Sequence, residues 1–224
     1  MHRAATVCVF AKPPRPGQAK TRLAAALGDE RAAALARAFF EDTWSAVTSI
    51  PWATPVLATT DPSAGEWVGV PRARVWSQGG GDLGERLERV LRRALRGAAA
   101  ALAIGTDTPG LPPALLSQAR LALRRADAVL GPCEDGGFYL LGLRRCPPGL
   151  LRDLPWGSAD TFRRTASRLR ERGLRTGVIS PWFDVDRLAD LECLHALVAR
   201  GEVRAPRTAR ALEALDGSGR PWTG

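Results

Sequence analysis

Histidine and lysine are nearly missing from this chain. There are 2 histidines in 224 residues, and Lys12 and Lys20 are the only lysines. Cysteine is sparse too: Cys8, Cys133, Cys146 and Cys193 are widely and irregularly spaced, with no Cys-x-x-Cys pair. That argues against a zinc site, and no neighbouring histidine supports Cys133 as a nucleophile, so reduced thiols are expected. No run of 18 apolar residues occurs, which excludes a helical membrane span by pattern. The short apolar run at 7–11 stops at Lys12-Pro13-Pro14 without a small-residue cleavage pattern. It reads as a buried first strand rather than a signal peptide, and a cytoplasmic protein without a membrane partner is expected. A P-loop is also missing, because Ala19 rather than glycine precedes Lys20-Thr21. That counts against a small-molecule kinase.

What is present suits one α/β domain over 1–215, followed by a loose tail at 216–224. Hydrophobic residues make up 45% of the chain, enough for a real core at this length. The net charge of +9 invites a nucleic-acid reading. Many arginines, however, fall on the expected outer faces of helices: Arg86, Arg89, Arg93 and Arg96, then Arg163, Arg164, Arg168 and Arg172. Solvated charge is the simpler account, so no nucleic-acid partner is expected. A positive field still favours phosphorylated substrates.

Short apolar runs alternate with helical spacing along the chain. Strands are expected at 7–11, 55–59, 74–76, 100–104, 128–130, 138–143 and 175–179. Helices are expected from Thr21 to a break near Gly28, from a cap at Asp29 to about Thr48, and at 83–95, 112–125, 161–172 and 188–200. The alternation predicts a mostly parallel sheet covered by helices on both faces. Ligands of such sheets bind outside the carboxyl ends of the strands. The loops at 12–20, 78–84 and 105–110 should therefore share one crevice.

Five stretches carry candidate chemistry. In the first, prolines stiffen the loop after Lys12, Gly17 permits close backbone approach, and Lys20, Thr21 and Arg22 open a helix. Free N–H groups and a positive dipole end suit phosphate there, and both lysines of the chain lie in this loop. In the second, Gln78-Gly79-Gly80-Gly81-Asp82 leads into a helix. Gln78 is a candidate for a base or sugar edge, and Asp82 is either a ligand contact or simply the helix N-cap. In the third, Asp107 follows an apolar strand. It is placed to hold Mg²⁺ against a diphosphate, or to form an Asx-turn before Pro109. In the fourth, Asp135-Gly136-Gly137 lines an acceptor side or makes a plain turn. In the fifth, Asp184 and Asp186 are two carboxylates that a turn can direct to one cation, or Asp186 is simply the cap of the next helix.

In order, the segments FAKPPRPGQAKTRL, QGGGDLGERL, IGTDTPGL, GPCEDGGFYLLGL, LPWGS and FDVD resemble one group of bacterial transferases. These are the radical-SAM- and selenodomain-associated (arsenosugar-biosynthesis-type) glycosyltransferases, within the nucleotide-diphosphosugar transferase superfamily. Phospholactate or phosphoenolpyruvate guanylyltransferase and molybdenum-cofactor guanylyltransferase are cousins. The resemblance implies a Rossmann-like GT-A three-layer sandwich with a mostly parallel central sheet. It implies nucleotide binding by Lys12, Gly17, Lys20, Thr21, Arg22, Gln78 and Asp82, and a metal site of Asp107, Asp184 and Asp186 for Mg²⁺ or Mn²⁺. Lys20, Asp107 and Asp135 become the catalytic candidates, with Asp135, Gly136 and Gly137 on the acceptor. Arg187 replaces the threonine usual after the acidic pair, and Ser158 replaces another threonine.

The implied partners are a nucleotide sugar or an NTP, together with a small-molecule acceptor, in a monomer or homodimer. Glycosyl transfer ranks slightly ahead of nucleotidyl transfer on this resemblance, since fold alone does not decide between them. A non-catalytic nucleotide- or nucleic-acid-binding protein is the reading of another class, supported only by the net charge.

Overall fold

The computed structural model describes residues 5–63, 65, 67 and 69–216, so the expected tail beyond Asp216 lies outside the described residues. The elements in order are β1 (Ala5–Ala11), α1 (Thr21–Leu27), α2 (Asp29–Thr48), β2 (Ala53–Thr59), a short 3₁₀ turn (Arg72–Arg74) and β3 (Val75–Ser77). Then follow α3 (Leu83–Leu95), β4 (Ala100–Gly105), α4 (Pro113–Ala122), β5 (Ala128–Pro132) and β6 (Phe138–Leu143). The chain closes with α5 (Thr161–Glu171), β7 (Thr176–Val178), α6 (Leu188–Ala199) and α7 (Pro206–Asp216).

The seven strands form one sheet in the order β3-β2-β1-β4-β6-β5-β7. All neighbouring pairs are parallel except those made by β6, which runs against both β4 and β5. Strand residues alternate between two cores, as the two-residue period of a strand requires. Val7, Val9, Leu102 and Ile104 face one side with Phe40 and Val47 of α2 and Leu116 of α4. Cys8, Ala101 and Ala103 face the other, with Leu87, Val90 and Leu91 of α3 and Leu169 of α5. Burial on both faces explains why these strands read as continuous apolar runs. A third cluster joins α1 and α2 to α6 and α7 through Leu23, Phe39, Leu191 and Leu212. The layers are therefore helix, sheet, helix.

Two local expectations need correction. The N-cap of α2 is Gly28 (φ 87°) and not Asp29, which occupies the first helical turn with Glu30. There both carboxylates favour the positive end of the helix dipole. The second is α7, a helix without a counterpart in the sequence reading. Its N-terminal N–H groups are capped from a distance: the buried Asp42 carboxylate of α2 accepts the backbone N–H of Arg207 (3.1 Å) and Thr208 (2.9 Å).

The order β2-β1-β4 reverses direction along the sequence at β1. A crevice opens at such a switch point, outside the carboxyl ends of β1 and β4.

Candidate active site

A cavity of about 540 Å³ lies at this switch point. Its wall includes Lys12, Lys20, Thr21 and Arg22 after β1, Gln78 after β3, Gly105 to Asp107 after β4, and Asp186. The three loops expected to share one crevice do so. Phe138, Leu83, Leu87 and Arg86 complete the wall on the α3 side.

Lys20 is the hub. Its side chain is only 7% exposed, and its ammonium lies 2.5 Å from Asp107 Oδ1 and 3.3 Å from Asp186 Oδ1. It also donates to the Val185 carbonyl at 2.6 Å. Arg22 reaches Asp186 Oδ2 at 3.4 Å. Lys20 caps α1 with a left-handed backbone (φ 48°, ψ 46°). A non-glycine residue there costs of order 1 kcal/mol, strain of the kind that concentrates at functional sites. Three oxygens around one ammonium offset it.

The acidic pair is held by backbone bonds and by a neighbouring carboxylate. Val185 donates its N–H to the Asp107 carbonyl at 2.8 Å, tying segment 184–186 to the β4 exit loop. Asp190, not Asp186, serves the start of α6: it accepts the N–H of Asp186 at 3.0 Å and of Arg187 at 2.7 Å. That frees the Asp186 carboxylate for Lys20 and Arg22, and it answers how α6 begins without a threonine at 187.

Asp184 meets a different set. Among the described residues, one group of three metal-capable side chains has its donor atoms within 4.8 Å of one another: Cys133, Asp135 and Asp184. Asp107 is outside that group, and Asp186 with it. Burial, and then the Asp135 and Asp186 charges, push the Asp184 carboxyl up to about 6. Burial raises the Cys133 thiol as well, aided by Asp184, Asp135, Asp186 and Asp107. Four carboxylates thus act on this thiol, and it stays protonated rather than nucleophilic.

The turn from β5 to β6 brings Asp135 to the rim, where its carboxylate accepts the Gly137 N–H at 2.8 Å. Gly136 is left-handed (φ 85°), and a Cβ there would strike the Ala159 carbonyl. Only glycine fits this corner.

The remaining candidates have local duties. Asp82 accepts the Glu85 N–H at 2.9 Å, and Glu85 returns to the Asp82 N–H at 3.0 Å, a capping box that accounts for Asp82 without a ligand. Asp82 is absent from the cavity wall, as is Gly17, which sits in a left-handed turn facing Asp29. Gln78 lines the cavity, but its amide nitrogen is committed to the Ala58 carbonyl at 2.8 Å.

Arg86 departs from the expected outer face: it stands in the cavity wall, and its Nε is shut off from solvent. Helical spacing alone counted it with Arg89, Arg93 and Arg96, which are exposed. Its place in the first turn of α3, directly behind the β3 exit loop, was the available signal.

Residues 43–158 match the family described as "Uncharacterized protein conserved in bacteria (DUF2064)". The chain belongs to this family. A phosphoenolpyruvate guanylyltransferase of Salinispora arenicola (strain CNS-205) is 33% identical over 160 residues, covering 68% of this chain and 72% of that protein. The crystal structure of a Desulfovibrio desulfuricans G20 protein, assigned as a nucleotide-diphospho-sugar transferase, is 30% identical to this DUF2064 chain. It superposes with a TM-score of 0.86 over 95% of both chains. A nucleotidyl transferase from Methanothermobacter thermautotroptrophicus shares the fold at 20% identity and a TM-score of 0.57, over 88% of this chain and 99% of that one.

Proposed function

We propose that this chain is a metal-dependent transferase that binds a nucleotide across the carboxyl ends of β1 and β4 and passes its nucleotidyl group to a small acceptor. The observation that carries the reading is the Lys20 ammonium seated among Asp107, Asp186 and the Val185 carbonyl at the switch point. Oxygens gathered round one cation, beside the N-terminus of α1, suit the phosphates of a nucleotide together with a divalent ion. The relationship to a phosphoenolpyruvate guanylyltransferase moves nucleotidyl transfer ahead of the glycosyl transfer that the sequence favoured.

In this reading Lys12, Lys20, Arg22 and the first N–H groups of α1 bind phosphates. Lys20 leaves its carboxylates for the phosphate oxygens when the donor enters. Asp107 and Asp186 would hold Mg²⁺ or Mn²⁺, with Asp184 joining them by turning from Cys133 and Asp135, and the ion would supply charge neutralisation at the phosphates. Asp107 and Asp186 fit: both offer hard carboxylate oxygens, and the ammonium already marks a cation position between them. Asp135 orients the acceptor from the β5–β6 turn, where Gly136 and Gly137 keep the backbone low. An acceptor oxygen then bonds to the α-phosphorus as its bond to the bridging oxygen breaks, and pyrophosphate leaves. The four cysteines, all free of disulfides, are in keeping with a cytoplasmic enzyme.

A second reading, glycosyl transfer from a nucleotide sugar, is favoured by the Desulfovibrio desulfuricans relationship over 95% of both chains. A thermal-shift panel separates the two, since a ligand that binds only the native state raises its apparent stability. The panel holds the four NTPs, UDP-sugars and GDP-sugars, each with and without Mg²⁺ or Mn²⁺. Metal-dependent stabilisation by one NTP supports nucleotidyl transfer. Stabilisation by a nucleotide sugar alone moves the assignment to glycosyl transfer, and no response to any ligand removes both.

A further inference from the structure

The cations of the cavity differ in how they are satisfied. Lys20 has three oxygen partners and Arg22 has Asp186. Lys12 is exposed, where water solvates it. The Nε of Arg86 has neither remedy. The residue is half-buried, and its Nε is closed to solvent with no acceptor among the described residues. No described carboxylate pairs with its guanidinium, although Arg89, one turn on, donates to the Gln78 carbonyl. Buried donors of native proteins are nearly always hydrogen-bonded, so an orphan in a cavity wall points to a missing acceptor.

The position of Arg86 is fixed from both sides. At Gly84 a Cβ would strike the Leu151 carbonyl and crowd the Trp156 indole, so α3 is seated directly on that segment. Glu88 accepts the N–H of Gly149 at 3.0 Å and of Leu151 at 2.6 Å. A guanidinium on so anchored a helix turn is preorganised. Around it on the wall stand Leu83, which is 44% exposed, Leu87 and Phe138. This half of the cavity is apolar with one unpaired cation. In the opposite half Lys20 and Arg22 are already paired with Asp107 and Asp186.

We propose that Arg86 is the anion anchor of the acceptor, and that the acceptor is a small organic acid. Its carboxylate or phosphate takes the guanidinium fork, and its short carbon skeleton lies against Leu83, Leu87 and Phe138. The inference rests on the transferase reading above, in which the nucleotide phosphates belong to the Lys20 side. Arginine suits the task because its planar fork matches both carboxylate and phosphate in bidentate geometry.

Isothermal titration at low salt tests this on the full chain, as wild type, Arg86→Gln and Arg86→Lys, with phosphoenolpyruvate, inorganic phosphate, and GTP with Mg²⁺ as probes. Phosphoenolpyruvate should bind the wild type and weaken about 10- to 100-fold in Arg86→Gln, the range for a lost charged hydrogen bond. Arg86→Lys should fall between them, because it keeps the charge and loses the fork. GTP affinity should stay within about twofold across the three proteins, the size of effect expected for a side chain with no contact to that ligand. The unliganded melting temperature of Arg86→Gln should not fall, since no protein partner is lost. The proposal is overturned if GTP weakens as much as phosphoenolpyruvate, if wild type binds neither small anion, if the variants bind them equally well, or if Arg86→Gln simply melts early. Should GTP fail to bind wild type while Arg86-dependent anion binding persists, the nucleotide reading falls and the anchor stands.

Discussion

Val185 donates its backbone N–H to the carbonyl oxygen of Asp107, and this one bond sets the distance between the β4 exit loop and the acidic segment before α6. The side chains of Asp107 and Asp186 then flank Lys20 without any direct bond between them. Replacing Asp107 by Ala leaves the backbone bond intact and removes the carboxylate. The stabilisation of the protein by nucleotide and Mg²⁺ together should vanish, while the melting temperature without ligand changes little. An unaltered metal-dependent shift in the variant would rule Asp107 out of the metal site.

Lys20→Met should lower turnover about 10²- to 10³-fold, the usual range for losing one preorganised donor at a developing charge. The substitution also leaves two carboxylates facing each other without their cation. The variant should therefore gain more stability from added Mg²⁺ than the wild type does. Steady-state rates and melting curves at several Mg²⁺ concentrations check both outcomes.

Asp184 makes stability depend on pH in an unusual direction. Its carboxyl is raised to about 6, so the folded chain holds this proton more tightly than the unfolded chain, whose aspartates titrate near 4. Stability from this group is complete below about pH 4 and is lost as the pH rises through about 6. Asp184→Asn, which cannot ionise, should flatten that decline in denaturant titrations across the window. Mn²⁺ affinity of the wild type should fall below pH 6, where the proton competes for the same oxygen.

Asp42→Ala should destabilise the chain by about 1–3 kcal/mol, because two helix-start N–H groups lose a buried charged acceptor. Hydrogen exchange should show the loss concentrated in α7. Uniform loosening of the whole sheet would contradict the assigned role.

The central sheet and the crevice were legible because their signals are local. β1, β4 and β6 are unbroken apolar runs, and the loops after β1, β3 and β4 carry the charged and glycine-rich residues. Helix α7 was not legible in the same way, because its cap comes from α2 and Ala205 offers no side-chain acceptor. Pro206 at its first turn was the one local sign. Lys20 and Asp107 were both identified from their loops, yet their contact was not, since it depends on how β1 and β4 pair. Arg86 was misplaced on the solvated face because helical spacing does not say where a helix begins to overhang the sheet. Asp184 and Asp186 were read as one pair, and in a regular strand residues two apart would share a face; the segment before α6 is not a regular strand, and the two carboxylates part. One meets Cys133 and Asp135, and the other meets Lys20 and Arg22.

The reversed strand β6 has a geometric result of its own. Because it runs against its neighbours, its amino end and the carboxyl end of β5 meet at the same rim as the ends of β1 and β4. The connection there is a five-residue hairpin, 133–137, instead of a helical crossover. A hairpin has a fixed reach: each residue added to an arm carries its tip outward by about 3.3 Å. The hairpin is therefore a ruler laid across the proposed acceptor side, and on that reading lengthening it would change the size of molecule admitted without touching a single side chain in the crevice.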